Sequence, residues 1–379
     1  SWSRILPDGT EKINQKGIEF YQSLVRELKA AGIEPMVTLY HWDLPYALYL
    51  QGGWKNPQIP DWFAAYTKIV VEALSDQVQY WMTLNEPQCF VGIGHLQGRH
   101  APFLDEPASL RPVTRHVLLA HAKAVQTIRQ YAKLPPKVGY APTGPVFSPC
   151  GDESEAAIAE AYRRTMEVEG CYSISWWCDP VLLGRVPEPM AKALGADVFT
   201  PQELELLHQP LDYLGFNVYN ACAAQQPGSE YTANTWQGSP RTAMEWPITP
   251  DCIYWAIRFL NQRYGRPILI TENGMANTDF VMLDGKVHDP QRIDYVHRHL
   301  LAARRALQEG YPLIGYTYWS IMDNYEWAEG YSKRFGLIYV DYRTMERIPK
   351  DSAAWYAHVI ATNAVSYTHL RAHETDSYL

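Results

Sequence analysis

The chain has 379 residues and a formal net charge of −8, from 33 Lys and Arg against 41 Asp and Glu. Such a length buries a large core, as two domains or as one (β/α) barrel with insertions, and mild acidity without a basic run argues against nucleic-acid or anionic-membrane binding. No stretch approaches the ~18 consecutive apolar residues of a membrane helix, and the six cysteines show neither a CxxC pair nor a zinc-spaced His/Cys cluster.

Helical and strand patterns alternate along the chain. Residues 1–5 read as the end of a strand running into a loop. Asn14 is placed to cap a helix reaching Ala31, with Ile18, Tyr21, Leu24, Val25 and Leu28 on one face, and Gly32 stops it before a buried strand over 34–40. A helix over 61–74 leads to a strand at 78–84, and a helix over 112–133 to a strand at 137–141. A long helix near 154–177 precedes a strand at 211–218, and a helix over 250–263 precedes one at 267–271. The last cycle is a helix over 290–308, a strand at 313–319 and a closing helix over 350–362.

Helix–strand alternation with strands apolar on both faces predicts an α/β protein with a parallel sheet and helices outside. Seven strand candidates make a (β/α)8 TIM barrel lacking its first strand–helix unit and part of its second strand the expected fold. A doubly wound sheet is the runner-up, but no Gly-rich dinucleotide fingerprint follows a strand. The expected organisation is a single catalytic domain over 1–364. Residues 365–375 have no hydrophobic period and back-translate in frame to a transposon-end sequencing adapter, so 365–379 are read as a non-native tail. The cysteines read as reduced apolar fillers, which fits a cytoplasmic protein.

In such a barrel the chemistry sits at the C-terminal ends of the strands. Those ends carry His41, Trp42 and Asp43, then Asn85 and Glu86, Asn217 and Tyr219, Glu272 and Asn273, and Trp319 onward to Glu326 and Trp327. A lone strand-end Glu can simply cap the next helix, and Glu-Asn-Gly can be turn chemistry. Two carboxylates among aromatic residues, in a chain with 13 Trp and 26 Tyr, instead fit glycosidic bond hydrolysis. That reaction needs one proton donor and one nucleophile or base. Phosphate or metal chemistry would need Lys, Arg or Asp clusters at these ends, which the sequence lacks.

Thr83-Leu84-Asn85-Glu86-Pro87 and Ile270-Thr271-Glu272-Asn273-Gly274 resemble the acid/base and nucleophile signatures of glycoside hydrolase family one, the retaining β-glucosidases. Tyr40-His41-Trp42-Asp43-Leu44-Pro45, Gly215-Phe216-Asn217-Val218-Tyr219 and the run from Tyr318 to Trp327 extend the resemblance, in order, from Ser1 to about Asn363. It implies that Glu86 is the general acid and then base, and that Glu272 forms the covalent glycosyl-enzyme intermediate, the two carboxyls ~5 Å apart. It further implies that Tyr219 hydrogen-bonds Glu272 and that Asn85 binds the sugar 2-hydroxyl. His41, Trp42 and Glu326 would bind the outer hydroxyls, Trp319 would be the stacking floor with Trp327 beside it, and Asn217 is grouped with the substrate-binding residues. No metal and no cofactor is implied, and the partner is a small β-glucoside or oligosaccharide.

Members specific for 6-phosphoglycosides resemble this chain at Lys333 but carry a small hydroxyl residue where Glu326 stands. A carboxylate there repels a phosphate dianion, and Phe335 lacks their hydroxyl, so a neutral sugar is expected. Thioglucosidases have Gln in place of the acid/base, so the intact Glu86 implies O-glycosides. Glucose, fucose and galactose are all admitted, and the aglycone side is assigned to loops at 89–100 and 231–246. The family's first strand, with a sugar-contacting Gln, and an Arg shortly before Ser1 have no counterpart here. The chain as written is therefore expected to hydrolyse little, and the full-length gene to encode a working β-glucosidase. An endo-acting glycanase of the same clan and a non-catalytic carbohydrate-binding barrel are the alternatives.

Overall fold

The computed structural model describes residues 1–149, 152–223 and 238–363, so the segment read as a tail lies outside the described residues. The main elements are α1 (Gln15–Ala30), β1 (Met36–Tyr40), α2 (Ile59–Leu74), β2 (Tyr80–Asn85), α3 (Leu110–Tyr131), β3 (Lys137–Ala141), α4 (Glu155–Met166), α5 (Ile174–Leu182), β4 (Leu214–Asn217), α6 (Cys252–Tyr264), β5 (Ile268–Asn273), α7 (Pro290–Gln308), β6 (Leu313–Tyr318) and α8 (Asp351–Thr362). The expected alternation is present, and its contacts group it into two compact units.

The first unit holds Ser1–Pro145, Tyr162–Asn217 and Leu260–Leu269. Its sheet runs β1-β2-β3, all parallel, with Met36 opposite Tyr80 and Trp81 opposite Val138. Helices α2 and α3 pack together here, and Trp2, Tyr40, Trp54, Phe63 and Tyr66 fill the interior. Trp2 stacks on Tyr66 at 5.2 Å between ring centroids. Glycine is required at position 139, where a Cβ would stand 2.2 Å from the Tyr213 ring. The absent side chain lets Tyr213 cross β3 and donate its hydroxyl to the Trp81 carbonyl at 3.0 Å.

The second unit holds Val146–Ala161, Val218–Phe259 and the chain from Ile270 onward. Here β5 pairs with β6, and Ile293, Tyr295, Val296, Tyr318, Leu337 and Trp355 share one core beneath α7 and α8. Two short parallel strands, Val146–Ser148 and Ala221–Ala223, form a separate ladder. Among the described residues the ladders contain two or three strands each.

Three local expectations are corrected. Residues Trp2–Ile5 form a helical turn, not a strand end, because that turn lets Trp2, Ile5 and Leu6 all reach the core. Asn14 precedes α1 without capping it through its side chain, since its amide donates to the Arg4 carbonyl at 3.0 Å. The helix expected over 154–177 is broken between α4 and α5. Gly170 turns there at φ +77°, and Ser173 Oγ takes up the Met166 carbonyl at 3.0 Å. Among the described residues no helix is long and apolar enough to cross a membrane.

Candidate active site

In the first unit the site is built on the end of β2. Between Met82 and Asn85 the β2–β3 register slips by one residue, a bulge that re-aims the strand end, and the Glu86 N–H donates to the Ala141 carbonyl at 2.8 Å. Glu86 then turns at φ +43° and Trp42, at the end of β1, at φ +76°. Such backbone costs of order 1–3 kcal/mol per residue and clusters at functional sites.

The polar groups at this end form one chain. Asn217 Nδ2, at the end of β4, donates to Glu86 Oε1 at 2.8 Å and to Asn85 Oδ1 at 3.0 Å. Asn85 Nδ2 in turn faces His41 Nε2 at 3.2 Å. An amide nitrogen only donates, so His41 Nε2 accepts and the ring is neutral. Burial agrees, pushing the His41 imidazole down to about 4, against the opposing pull of Asp43. Burial also raises the Glu86 carboxyl above the ordinary range, while the hydrogen bonds from Asn217 and the Cys89 thiol pull the other way. A carboxyl held up in this manner keeps its proton to higher pH than a free one, which suits it to serve as an acid.

Two of the residues expected to bind substrate also hold their neighbours. Asn217 is fully buried and gives its amide hydrogens to Glu86 and Asn85, an arrangement that fixes the orientation of those two side chains. Trp42 gives its indole N–H to the Asn85 carbonyl at 2.9 Å, and its ring packs against the His41 and His100 imidazoles at 5.5 and 5.4 Å between centroids.

In the second unit Glu272 ends β5, and Tyr219 donates its phenol to Glu272 Oε2 at 2.7 Å, a contact that favours the ionised carboxylate. Tyr219 is itself held. Its carbonyl accepts from Tyr295 Oη at 2.7 Å, and its ring packs 5.2 Å from Trp246 and 6.0 Å from Phe335. Asn273 Nδ2 donates to the Val218 carbonyl at 2.7 Å while Tyr316 Oη donates to Asn273 Oδ1 at 2.8 Å. No local sequence signal marks these supporting residues, because their part depends on contacts far apart in sequence.

The segment after β6 carries the remaining residues of this unit. The Trp319 N–H donates to the Asn273 carbonyl at 2.9 Å, and the Trp319–Ser320 peptide is cis. Glu326 stands just before a short 3₁₀ turn, Trp327–Glu329, with Trp327 at φ +47°. Glu326 and Trp327 are half-buried. Lys333 donates its ammonium to the Ala243 carbonyl at 2.7 Å. Of the second loop assigned to the aglycone, residues 231–237 lie outside the described residues. Among the described residues no three His, Cys, Asp or Glu side chains gather as metal ligands.

The model of the family described as Glycosyl hydrolase family 1 matches residues 1–365. A Thermotoga maritima protein named Beta-glucosidase A is 41% identical over 372 residues, covering 96% of this chain and 82% of the relative. A Thermotoga neapolitana protein named 1,4-beta-D-glucan glucohydrolase is 40% identical, over 97% of this chain and 82% of its own length. The Bifidobacterium breve Bifunctional beta-D-glucosidase/beta-D-fucosidase is 38% identical, over 95% and 82% respectively. Among solved structures, the Thermotoga maritima β-glucosidase in complex with deoxynojirimycin matches with a TM-score of 0.86 at 40% identity, covering 97% of this chain and 82% of that one.

Proposed function

The chain belongs to glycosyl hydrolase family 1, and from that premise we infer that it is a β-glucosidase: a retaining exo-β-glycosidase that removes terminal non-reducing β-D-glucosyl residues by double displacement. Its strands and helices are read as those of the (β/α)8 barrel of this family. The observation that carries the reading is that each strand-end carboxylate has its own dedicated donor, Asn217 on Glu86 and Tyr219 on Glu272.

In the proposed sequence Glu86 protonates the departing glycosidic oxygen while Glu272 attacks the anomeric carbon. The C–O bond to the aglycone breaks as the bond to Glu272 Oε forms. Glu86, now ionised, takes a proton from water, whose oxygen displaces Glu272 and restores both groups. Asn85 binds the 2-hydroxyl, His41 and Glu326 bind outer hydroxyls, and Trp42, Trp319 and Trp327 supply ring faces. β-Fucosides are proposed as further substrates, by analogy with the Bifidobacterium breve relative.

A neutral sugar is favoured over a 6-phosphosugar. Glu326 brings negative charge, Lys333 is engaged by the Ala243 carbonyl, and Phe335 is buried with no hydroxyl to offer. An endo-acting or purely carbohydrate-binding role is not favoured by relatives named β-glucosidases and glucohydrolases. Trapping with an aryl 2-deoxy-2-fluoro-β-glucoside tests the reading. Mass spectrometry of the digested protein should find a stable adduct on the peptide bearing Glu272, and an adduct elsewhere would refute the nucleophile assignment.

A further inference from the structure

Apart from the proposed sugar-binding and reacting residues, the second unit holds a group of three carboxylates and three cations, all buried except the partly exposed Arg334, to which the catalytic reading gives no part. Asp279 lies in the segment after β5, Asp323 in the segment after β6, and Asp289 and Arg292 at the start of α7. Arg334 lies on the return leg from the Glu326 turn, and Lys350 stands just before α8. Lys350 Nζ bridges Asp279 Oδ2 at 2.6 Å and Asp323 Oδ1 at 2.8 Å. Arg292 bridges Asp279, at 2.6 Å, and Asp289, while Arg334 Nη1 reaches Asp323 Oδ2 at 2.6 Å. Three positive and three negative charges balance.

Desolvating six ionised groups is expensive, and apolar side chains of similar volume would often stabilise a fold as well. What such a cluster supplies is a fixed geometry. Asp323 accepts from Lys350, Arg334 and the Gly336 N–H, the last at 2.9 Å. It thereby ties the outgoing leg of the segment after β6 to its return leg. Between the two legs lies the turn bearing Glu326 and Trp327, closed at its tip by the Glu326 N–H donating to the Gly330 carbonyl at 2.7 Å. Through Asp279 the same Lys350 ammonium reaches the segment that leaves Glu272.

We propose that Lys350 is a positioning residue: by bridging Asp279 and Asp323 it sets the Glu326–Trp327 turn at the height where Glu326 meets the sugar's outer hydroxyls. It thereby sets discrimination at those hydroxyls without touching substrate. This rests on the reading that Glu326 binds them.

The test compares an aryl β-glucoside with its 6-deoxy counterpart. Glu326→Ala serves as a control that reports whether Glu326 reads the hydroxyl at all. In Lys350→Met, with an unchanged circular dichroism spectrum, the ratio of the two kcat/KM values should fall at least about fivefold. The glucoside KM should rise, while kcat on the 6-deoxy substrate stays within about twofold. A collapse of the ratio in Glu326→Ala but not in Lys350→Met overturns the positioning role. An unchanged ratio in Glu326→Ala instead overturns the reading of Glu326 on which the inference stands. An equal loss on both substrates in Lys350→Met marks a merely structural part and also overturns it. Should Lys350→Met not fold, the charge-balanced Lys350→Met/Asp279→Asn pair, which leaves Asp323–Arg334 and Asp289–Arg292 intact, carries the same comparison.

Discussion

Asn217 lies 2.8 Å from Glu86, donating one amide hydrogen to the carboxyl that burial holds above its ordinary range. The other hydrogen goes to Asn85 at 3.0 Å, so one fully buried side chain orients both the proposed acid and the proposed 2-hydroxyl ligand. The relationship is also electrostatic. Burial disfavours the Glu86 anion and Asn217 stabilises it, so the acid's working range reflects their opposition.

Replacing Asn217 by Ala should therefore do two things. Loss of orientation should lower kcat/KM by about 10- to 100-fold, the usual consequence of removing a partner that aims a reacting group. Loss of a donor to the anion should raise the Glu86 pKa further. The alkaline limb of kcat/KM, where the free acid loses its proton, should then move to higher pH. A pH–rate profile on an aryl β-glucoside decides the matter, and a limb that stays fixed or moves down contradicts the proposed opposition.

Tyr219→Phe removes only the hydroxyl that reaches Glu272 and keeps the ring packed against Trp246 and Phe335. The melting temperature should hold within about 2 °C, a surface-sized effect. Activity should fall by about 10²-fold, as when one preorganised donor is deleted from a reacting charge. Parallel melting curves and initial rates distinguish this from a packing defect, which would lower both.

The main strands and helices are legible in sequence because apolar runs of strand length alternate with 3.6-residue stripes. The Glu86 and Glu272 strand ends are legible for the same reason. Whatever depends on a distant partner stays hidden. The Trp42 N–H goes to the Asn85 carbonyl and the Asn217 amide hydrogens go to Glu86 and Asn85, contacts that no pattern around either residue signals. The Tyr295 and Tyr316 supports and the Lys350 bridge join residues 27 or more positions apart, which no local pattern encodes. The break between α4 and α5 is the exception. Gly170 and Ser173 mark it, and apolar periodicity masks them.

Gly274 shows how tightly the nucleophile strand meets the segment after β6. A Cβ at this position would stand 2.0 Å from the Trp319 carbonyl oxygen, and because that atom is backbone, no side-chain rotation relieves the clash. Gly274→Ala should destabilise by about 2–3 kcal/mol, as overpacking does, and displace Trp319 from the site. Chemical denaturation should show the lowered midpoint, and KM for an aryl glucoside should rise. A variant as stable and as active as the parent would show that the two segments separate readily.

Glu86→Gln should separate stability from catalysis. The folded-state pKa of Glu86 lies above its unfolded value, so between the two the folded chain keeps a proton that the unfolded chain releases. Folding stability from this group therefore falls as pH rises through that window, and the penalty is complete above the folded pKa. Glutamine cannot ionise, and its amide keeps an oxygen to accept from Asn217. The variant should thus match the parent in acid, below the ordinary carboxylate range. It should melt a few degrees higher near neutrality, the scale of stabilisation common when a functional residue is neutralised. Its hydrolysis of glycosides with poor leaving groups should be nearly abolished, while activated aryl glycosides, which need less protonation, lose less. A melting difference between variant and parent that is constant across pH, or that grows in acid, would place the origin of the shift somewhere other than burial of the Glu86 charge.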